Sequence, residues 1–214
     1  RIVHVRERSC ACPIPAISFL RLGDSAYVPR PELVFLLLAR HLELTALIAV
    51  GMEMCGHYRM VGAPTSNLLQ SNRTLYNQNA LTSPARITAY LGRADGFPGT
   101  RKALRAAKYL AADSASPMET ALYLLLCLPQ NLGGFGLPRP VLHVKCAVNK
   151  QAQAFTLSHN LIPDLYWAGA RFDLEYDSEE FHSDPDSLAH GIRRTLALRA
   201  MHVDVMSMTS EVVR

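Results

Sequence analysis

The sequence predicts a chain of mixed α and β structure that ends in an α-β-β-β-α-β series. Capped apolar helices come first, three short strand-like runs follow between residues 141 and 176, and a helix and a strand close the chain. This order fits a mixed β-sheet with helices packed on its faces. We expect a mixed, mainly helical region over residues 1–110 and a sheet domain over residues 111–214.

Composition indicates a folded chain. Of 214 residues, 49% are apolar and 19% are charged, which is enough apolar material for one good core or two small ones and argues against global disorder. No apolar run is long enough to cross a bilayer, and no secretory leader follows the first residue, so we expect neither a membrane span nor a signal peptide. Five irregularly spaced cysteines favour a reducing, cytoplasmic setting, although Cys10-Ala11-Cys12 with His4, Cys55 and His57 offers a weaker, alternative zinc set.

Charge is divided unevenly along the chain. Residues 1–160 carry 17 Lys and Arg against 8 Asp and Glu, whereas residues 161–214 carry 5 against 10. The first part is suited to a polyanion such as DNA, and the second to a metal or hydrolytic site, although each could be an ordinary solvated surface.

Helices dominate the first half after an irregular stretch that ends near Arg30. Apolar spacing and capping signals predict four helices, and a polar stretch after the second predicts a loop. The predicted helices cover Pro31–Arg40, Leu44–Met54, Ser83-Pro84 to Gly92, and a segment capped by Thr100 that runs to about Ala111; the predicted loop covers Val61–Ala80. In the fourth helix, Arg101, Arg105 and Lys108 share one face, which is either solvated or phosphate-binding.

The next helix begins with Ser116-Pro117-Met118-Glu119, a capping box in which the glutamate reaches back to the cap. A turn at Gly133–Gly136 follows, and then the strand-like runs. These are Val141–Val148, a run that ends near Leu161–Trp167, and Arg171–Tyr176, with a hairpin turn at Ala168-Gly169. A helix near Ala189–Ala200 and a strand over Val203–Met208 complete the series.

The most informative strand places three carboxylates on one face. Alternation along residues 171–178 puts Asp173, Glu175 and Asp177 on one side and apolar side chains on the other. Carboxylates so close raise one another's pKa unless solvent or a cation compensates. From the strand alone, compensation by solvent at an exposed sheet edge and compensation by a divalent cation are equally good explanations.

A hairpin of the predicted length would bring Asp164 close to Glu175. Hard carboxylate oxygens suit Mg²⁺ or Mn²⁺, which two or three such groups usually hold with water and substrate phosphate. His182 follows the strand and is either a proton-transfer group near the metal or one of several surface histidines.

Together, the motifs Ser116-x-x-Glu119, Asp164 and Glu175-Tyr176-Asp177-Ser178 with His182, followed by Arg193-Arg194, resemble the restriction-endonuclease-like fold. Within it, the chain is most similar to uncharacterised domains related to very-short-patch-repair endonucleases, of the kind that actinobacterial proteins carry behind a helical region. The similarity covers about residues 110–210.

This resemblance implies a Mg²⁺- or Mn²⁺-dependent DNA endonuclease that hydrolyses phosphodiester bonds. It makes Asp164 and Glu175 metal ligands and Asp177 a further ligand or a carboxylate that orients water. It makes Glu119 a partner of a metal ligand or a contact to metal-bound water, and His182 an acid or base. It also assigns Arg193 and Arg194 to phosphate or to the acidic strand. When bound, such a metal polarises the phosphoryl oxygen and lowers the pKa of the attacking water.

Two departures from the family pattern favour an alternative. The subfamily tends to have an aspartate shortly before its arginines, where this chain has Ala189-His190-Gly191-Ile192, and a glycine where this chain has His202. A degenerate copy would bind nucleic acid, or regulate, without cutting. A homodimer and a protein partner in a defence or toxin–antitoxin system stay open. A divalent ion between Asp164 and Glu175 would support hydrolysis, and an arginine there would favour the degenerate alternative.

Overall fold

The structure, a computed structural model, describes residues 14–62, 73–177 and 185–209, and only the backbone at residues 177 and 185–188. Over these residues the chain is a mixed α and β protein, as the sequence predicts. The described helices are α1 (Pro31–Leu38), α2 (Leu44–Cys55), α3 (Pro84–Leu91), α4 (Thr100–Ala107), α5 (Pro117–Cys127) and α6 (Pro185–Ala200). The described strands are β1 (Phe19–Leu22), β2 (Ala26–Pro29), β3 (Arg59–Val61), β4 (Arg73–Leu75), β5 (Val141–Leu142), β6 (Cys146–Ala147), β7 (Asn160–Leu161), β8 (Leu165–Trp167), β9 (Phe172–Asp177) and β10 (Asp204–Thr209).

The chain divides into two compact units, and the first combines Arg1–Gly51 with Thr82–Leu110. Helices α1, α3 and α4 pack together in it, and their apolar faces are buried. Glu32 is also buried, and its carboxylate is compensated there. The Thr82 hydroxyl donates to its Oε1 at 2.5 Å, and the Arg86 guanidinium lies 3.1 Å from the same oxygen. The carboxylate therefore fastens α3 to α1 with a charge-assisted contact.

Two expectations for the first unit were wrong. The stretch before Arg30, expected to be irregular, contains the antiparallel hairpin β1–β2, whose residues are almost all exposed and so show no apolar alternation. Thr100 is not the cap of α4. The cap is Gly99 in the left-handed conformation, and the Thr100 hydroxyl donates instead to the carbonyls of Ala94 and Phe97.

The second unit combines Met52–Leu81 with Ala111–Arg214 and contains a four-stranded sheet in the order β10-β9-β8-β5. The strands β5, β8 and β9 pair antiparallel in sequence order, and β10 pairs parallel with β9. The turn after β8 closes the β8–β9 hairpin, and α6 makes the crossover that two parallel neighbours require. The C-terminal order of helix, sheet strands, helix and strand is the predicted one.

Two predicted strands of this unit are each divided in two. The run Val141–Val148 forms β5 and β6, and the run that ends at Trp167 forms β7 and β8. Strands β6 and β7 pair with each other in a separate two-stranded ladder. His143, with φ of 54°, lies directly after β5 and turns the chain out of the larger sheet.

The two faces of β9 have different surroundings. Asp173 lies opposite Tyr166 and Val205 in the ladder, and these two neighbours pack against the apolar cluster that α6 contributes to. Leu174, on the other face, is paired with Leu165 and both are buried. The alternation predicted from sequence therefore directs Asp173 and Glu175 toward the α6 side of the sheet.

Residues 52–62 and 73–81 join this unit, with hydrogen bonds to α5 and to the segment before it. The His57 amide donates to the Ser114 carbonyl at 2.7 Å, and the Tyr58 hydroxyl donates to Thr120 at 2.9 Å. Strand β4 lies within the stretch expected to be a loop, Val61–Ala80, and β3 ends at its first residue. Residues 63–72 of that stretch fall outside the described part of the chain. None of the helices in the described residues is long and apolar enough to cross a membrane.

Candidate active site

Asp164 and Glu175 lie next to each other, because Glu175 is on β9 and Asp164 stands just before its partner strand β8. Asp164 immediately precedes β8, and its Oδ2 accepts a hydrogen bond of 3.0 Å from the Tyr176 amide. The guanidinium of Arg194, on α6, reaches both carboxylates: Nη2 lies 2.7 Å from Glu175 Oε1 and 3.6 Å from Asp164 Oδ1. The same nitrogen donates to the carbonyl of Ile162. The hairpin thus joins the two carboxylates, and α6 places an arginine between them.

Glu119 adds a third carboxyl and also caps α5. The Ser116 hydroxyl accepts from the Glu119 amide at 3.1 Å, and Glu119 Oε2 accepts from the Ala115 amide at 2.8 Å. The capping box predicted from sequence is therefore present, with the glutamate reaching one residue before the cap. Glu119 is nonetheless only 6% exposed and lies within the electrostatic influence of Asp164 and Arg194. Capping fixes where this carboxyl lies relative to the other two.

Asp173 is a fourth carboxyl, and it is fully buried. Neither of its oxygens has a hydrogen-bond partner of good geometry among the described residues, and neither has Glu175 Oε1, although this last atom is close to Arg194. The neighbouring Glu175 carboxyl is the group with which Asp173 can share a proton. Unpartnered buried carboxylate oxygens are costly, so this pair requires a proton or a cation.

Burial raises the pKa of all four carboxyls. It raises the pKa of Glu175 to about 10, with further contributions from the bond to Asp173 and the charge of Asp164. It raises the pKa of Glu119 to about 8, again assisted by Asp164. The pKa values of Asp164 and Asp173 are raised mainly by burial, and for both Arg194 opposes the shift. One guanidinium is too little positive charge for three buried carboxylates and the partly buried Asp164, so protons or another cation must supply the rest.

Two histidines lie beside this cluster, and the sequence alone did not connect them with it. The His143 amide donates to the Asp164 carbonyl at 3.3 Å, and its buried Nδ1 has no hydrogen-bond partner among the described residues. Burial lowers the pKa of His143. The His57 ring lies 6.3 Å from the His143 ring and contacts Asp113 Oδ1 at 3.2 Å and the Gln78 carbonyl at 3.0 Å. No local sequence pattern predicts that these two histidines lie near each other and near the carboxyls. Their proximity arises because the segment that carries His57 belongs to the second unit.

The remaining predicted site residues are more dispersed. Asp177 ends β9 with only its backbone described, and His182 lies outside the described residues, as do His4, Cys10 and Cys12 of the alternative zinc set. Arg193 is exposed on α6, next to Arg194. The side chains of Arg101, Arg105 and Lys108 are exposed on α4, in the first unit.

Within the described ranges, no group of three or more His, Cys, Asp or Glu side chains is arranged to hold a metal ion. The donor chemistry nevertheless fits Mg²⁺ or Mn²⁺, since Asp164, Asp173 and Glu175 offer hard carboxylate oxygens and, among the described residues, neither Asp173 oxygen has a hydrogen-bond partner of good geometry. The Arg194 guanidinium lies against the two carboxylates that the resemblance assigns to the metal.

No protein-family model, no curated protein and no solved structure matches the chain.

Proposed function

We propose that the chain is a metal-dependent DNA endonuclease of the restriction-endonuclease-like kind, which hydrolyses phosphodiester bonds. One observation carries the proposal: Glu119 on α5, Asp164 just before β8 and Glu175 on β9 converge at one largely buried position where positive charge is deficient. Groups with strongly raised pKa values concentrate at functional sites, because folding alone gives no reason to bury them together.

The topology of the second unit supports the same proposal. Strands β5, β8, β9 and β10 form one mixed sheet, with α5 before the first strand and α6 between the last two. This is the α-β-β-β-α-β order that the resemblance implies, with β6, β7 and a short 3₁₀ helix inserted after the first strand.

Under this proposal, Asp164 and Glu175 hold Mg²⁺ or Mn²⁺, with Asp177 as a further ligand. When bound, the metal would polarise the phosphoryl oxygen and lower the pKa of the attacking water. Arg194, once it no longer neutralises Glu175, is free to hold the substrate phosphate. His182 is proposed as the proton-transfer group, and the exposed residues Arg101, Arg105 and Lys108 as phosphate contacts whose individual loss lowers the salt slope of DNA binding by about one.

Cleavage of supercoiled plasmid and labelled oligonucleotides in Mg²⁺ or Mn²⁺ tests the proposal. Asp164→Asn and Glu175→Gln should each lower the cleavage rate at least about 100-fold, since removing even an outer partner of a metal ligand costs about 10- to 100-fold. Asp204→Asn is the matched control, because Asp204 is exposed on β10. Intact substrates with the native protein in both metals would refute hydrolysis.

Arg194 is the specific observation that favours a second function, nucleic-acid binding without cleavage. Its guanidinium lies where a metal would have to bind between Glu175 and Asp164. A protein of this kind binds DNA equally well in EDTA and in Mg²⁺, and Glu175→Ala leaves binding unchanged or strengthens it by removing negative charge. Binding that strictly requires the metal would exclude this second function.

A further inference from the structure

A cavity of about 530 Å³ lies in the second unit between residues 153–158 and α6. This volume falls within the range of pockets that hold one small ligand, roughly 300–1,000 Å³. The cavity is lined by residues 153–158 and Leu161 on one side and by His190, Arg193 and Arg194 of α6 on the other. A nucleotide-sized group therefore fits, whereas a DNA duplex does not.

The walls of this cavity differ in chemistry. One wall presents exposed apolar side chains, because Phe155 is 37% exposed and Leu157 is 100% exposed. The other wall carries His190, Arg193 and Arg194, and among the residues that the structure describes no Asp or Glu lines the cavity. Among the described residues, neither His190 nor Arg193 takes part in an ion pair. An aromatic surface beside an arginine without an ion-pair partner among the described residues is the combination that binds a nucleobase and its phosphate.

Arg194 connects the cavity to the candidate active site. It lines the cavity and, at the same time, places Nη2 2.7 Å from Glu175 Oε1. The cavity thus begins one arginine side chain away from the carboxylate that the proposed function assigns to the metal. Under the proposed function, a metal at Glu175 would bind the phosphodiester. The adjoining nucleotide would then lie at the mouth of the cavity.

We propose that this cavity receives one unpaired nucleotide of the strand to be cut, with the base against Phe155 and a phosphate on Arg193. The proposal rests on the proposed function and names its substrate class, DNA that contains an unpaired nucleotide. A fully paired base reaches such a cavity only after it is unstacked and unpaired, which costs free energy, whereas an unpaired base enters without most of that cost.

Fluorescence anisotropy in EDTA tests the binding step without cleavage. The probes are two labelled duplexes of one sequence, one fully paired and one with a single bulged 2-aminopurine. We expect the bulged duplex to bind at least about 10-fold more tightly, and Phe155→Ala to remove about 10-fold of its affinity while the paired duplex changes less than about twofold. The fluorescence of 2-aminopurine should also fall on binding as it stacks.

Matched controls separate the cavity from general effects. Phe135→Ala removes an aromatic ring that is 65% exposed elsewhere, and Arg199→Ala removes the same charge as Arg193→Ala from another position of α6. Both controls should leave the preference for the bulge intact. Leu157→Ser is a second cavity variant that cannot disturb the core, because Leu157 is fully exposed.

Equal affinity for the two duplexes, or equal effects of Phe155→Ala and Phe135→Ala, would overturn the inference. Cleavage of paired and bulged DNA at the same rate would overturn it and leave the proposed hydrolysis standing. Preference for the bulge without any cleavage would support the cavity and contradict hydrolysis. Absence of affinity for either duplex would overturn the inference as well.

Discussion

Removing the charge of Glu119 should stabilise the metal-free protein at alkaline pH, although Glu119 caps a helix. The substitution Glu119→Gln keeps the capping oxygen that accepts from the Ala115 amide, because glutamine serves this position as well as glutamate. It removes only the ionisable group, whose pKa burial and Asp164 raise from 4.5 to about 8. The variant therefore isolates the electrostatic cost of this carboxyl.

The sign and magnitude follow from proton linkage. Between pH 4.5 and 8 the folded protein keeps a proton on Glu119 that the unfolded chain gives up, so stability falls as pH rises. Each pKa unit is worth about 1.4 kcal/mol, and the loss from pH 5 to pH 8 is about 3 kcal/mol. In Glu119→Gln this loss is absent, so the variant should be more stable than the native protein at pH 8 and nearly equal to it at pH 5.

Urea unfolding in EDTA at pH 5 and pH 8, followed by far-ultraviolet circular dichroism, measures the difference. Ser116→Ala is the matched control, since it removes the other half of the capping box and should cost about 1 kcal/mol at both pH values. If Glu119→Gln is less stable than the native protein at pH 8, capping dominates and the electrostatic reasoning is wrong.

Two further predictions concern packing and hydrogen bonding in the second unit. In Gly134→Ala the added Cβ would overlap the Leu128 carbonyl, and we expect the free energy of unfolding in urea to fall by about 3 kcal/mol. Gly169→Ala is the control, because its Cβ meets only open space and should change stability by less than about 0.5 kcal/mol. Tyr58→Phe removes the hydrogen bond to Thr120 and should lower the free energy of unfolding by about 1 kcal/mol, whereas a shift as small as that of the exposed control Tyr27→Phe would contradict it.

Prediction succeeded where the signal is local. Ser83 and Ser116 accept hydrogen bonds from the amides three residues later, as N-caps do, and the helices begin there. It failed at the β1–β2 hairpin, because its strands are exposed and do not alternate. The prediction was incomplete at Val141–Val148, because this one apolar run contains two strands that pair in separate ladders. Periodicity describes which side chains share a face, and it does not describe which strand is the partner.

The sequence by itself determined the mixed α and β class, the order of the C-terminal elements, and the single face that Asp173 and Glu175 share. These features depend on residues within a few positions of one another. Only the tertiary structure decided that Arg194 lies between Asp164 and Glu175, and that His57 and His143 lie beside them. Such contacts join segments far apart in the chain, and they exist because sheet register and packing, which no local pattern encodes, bring those segments together.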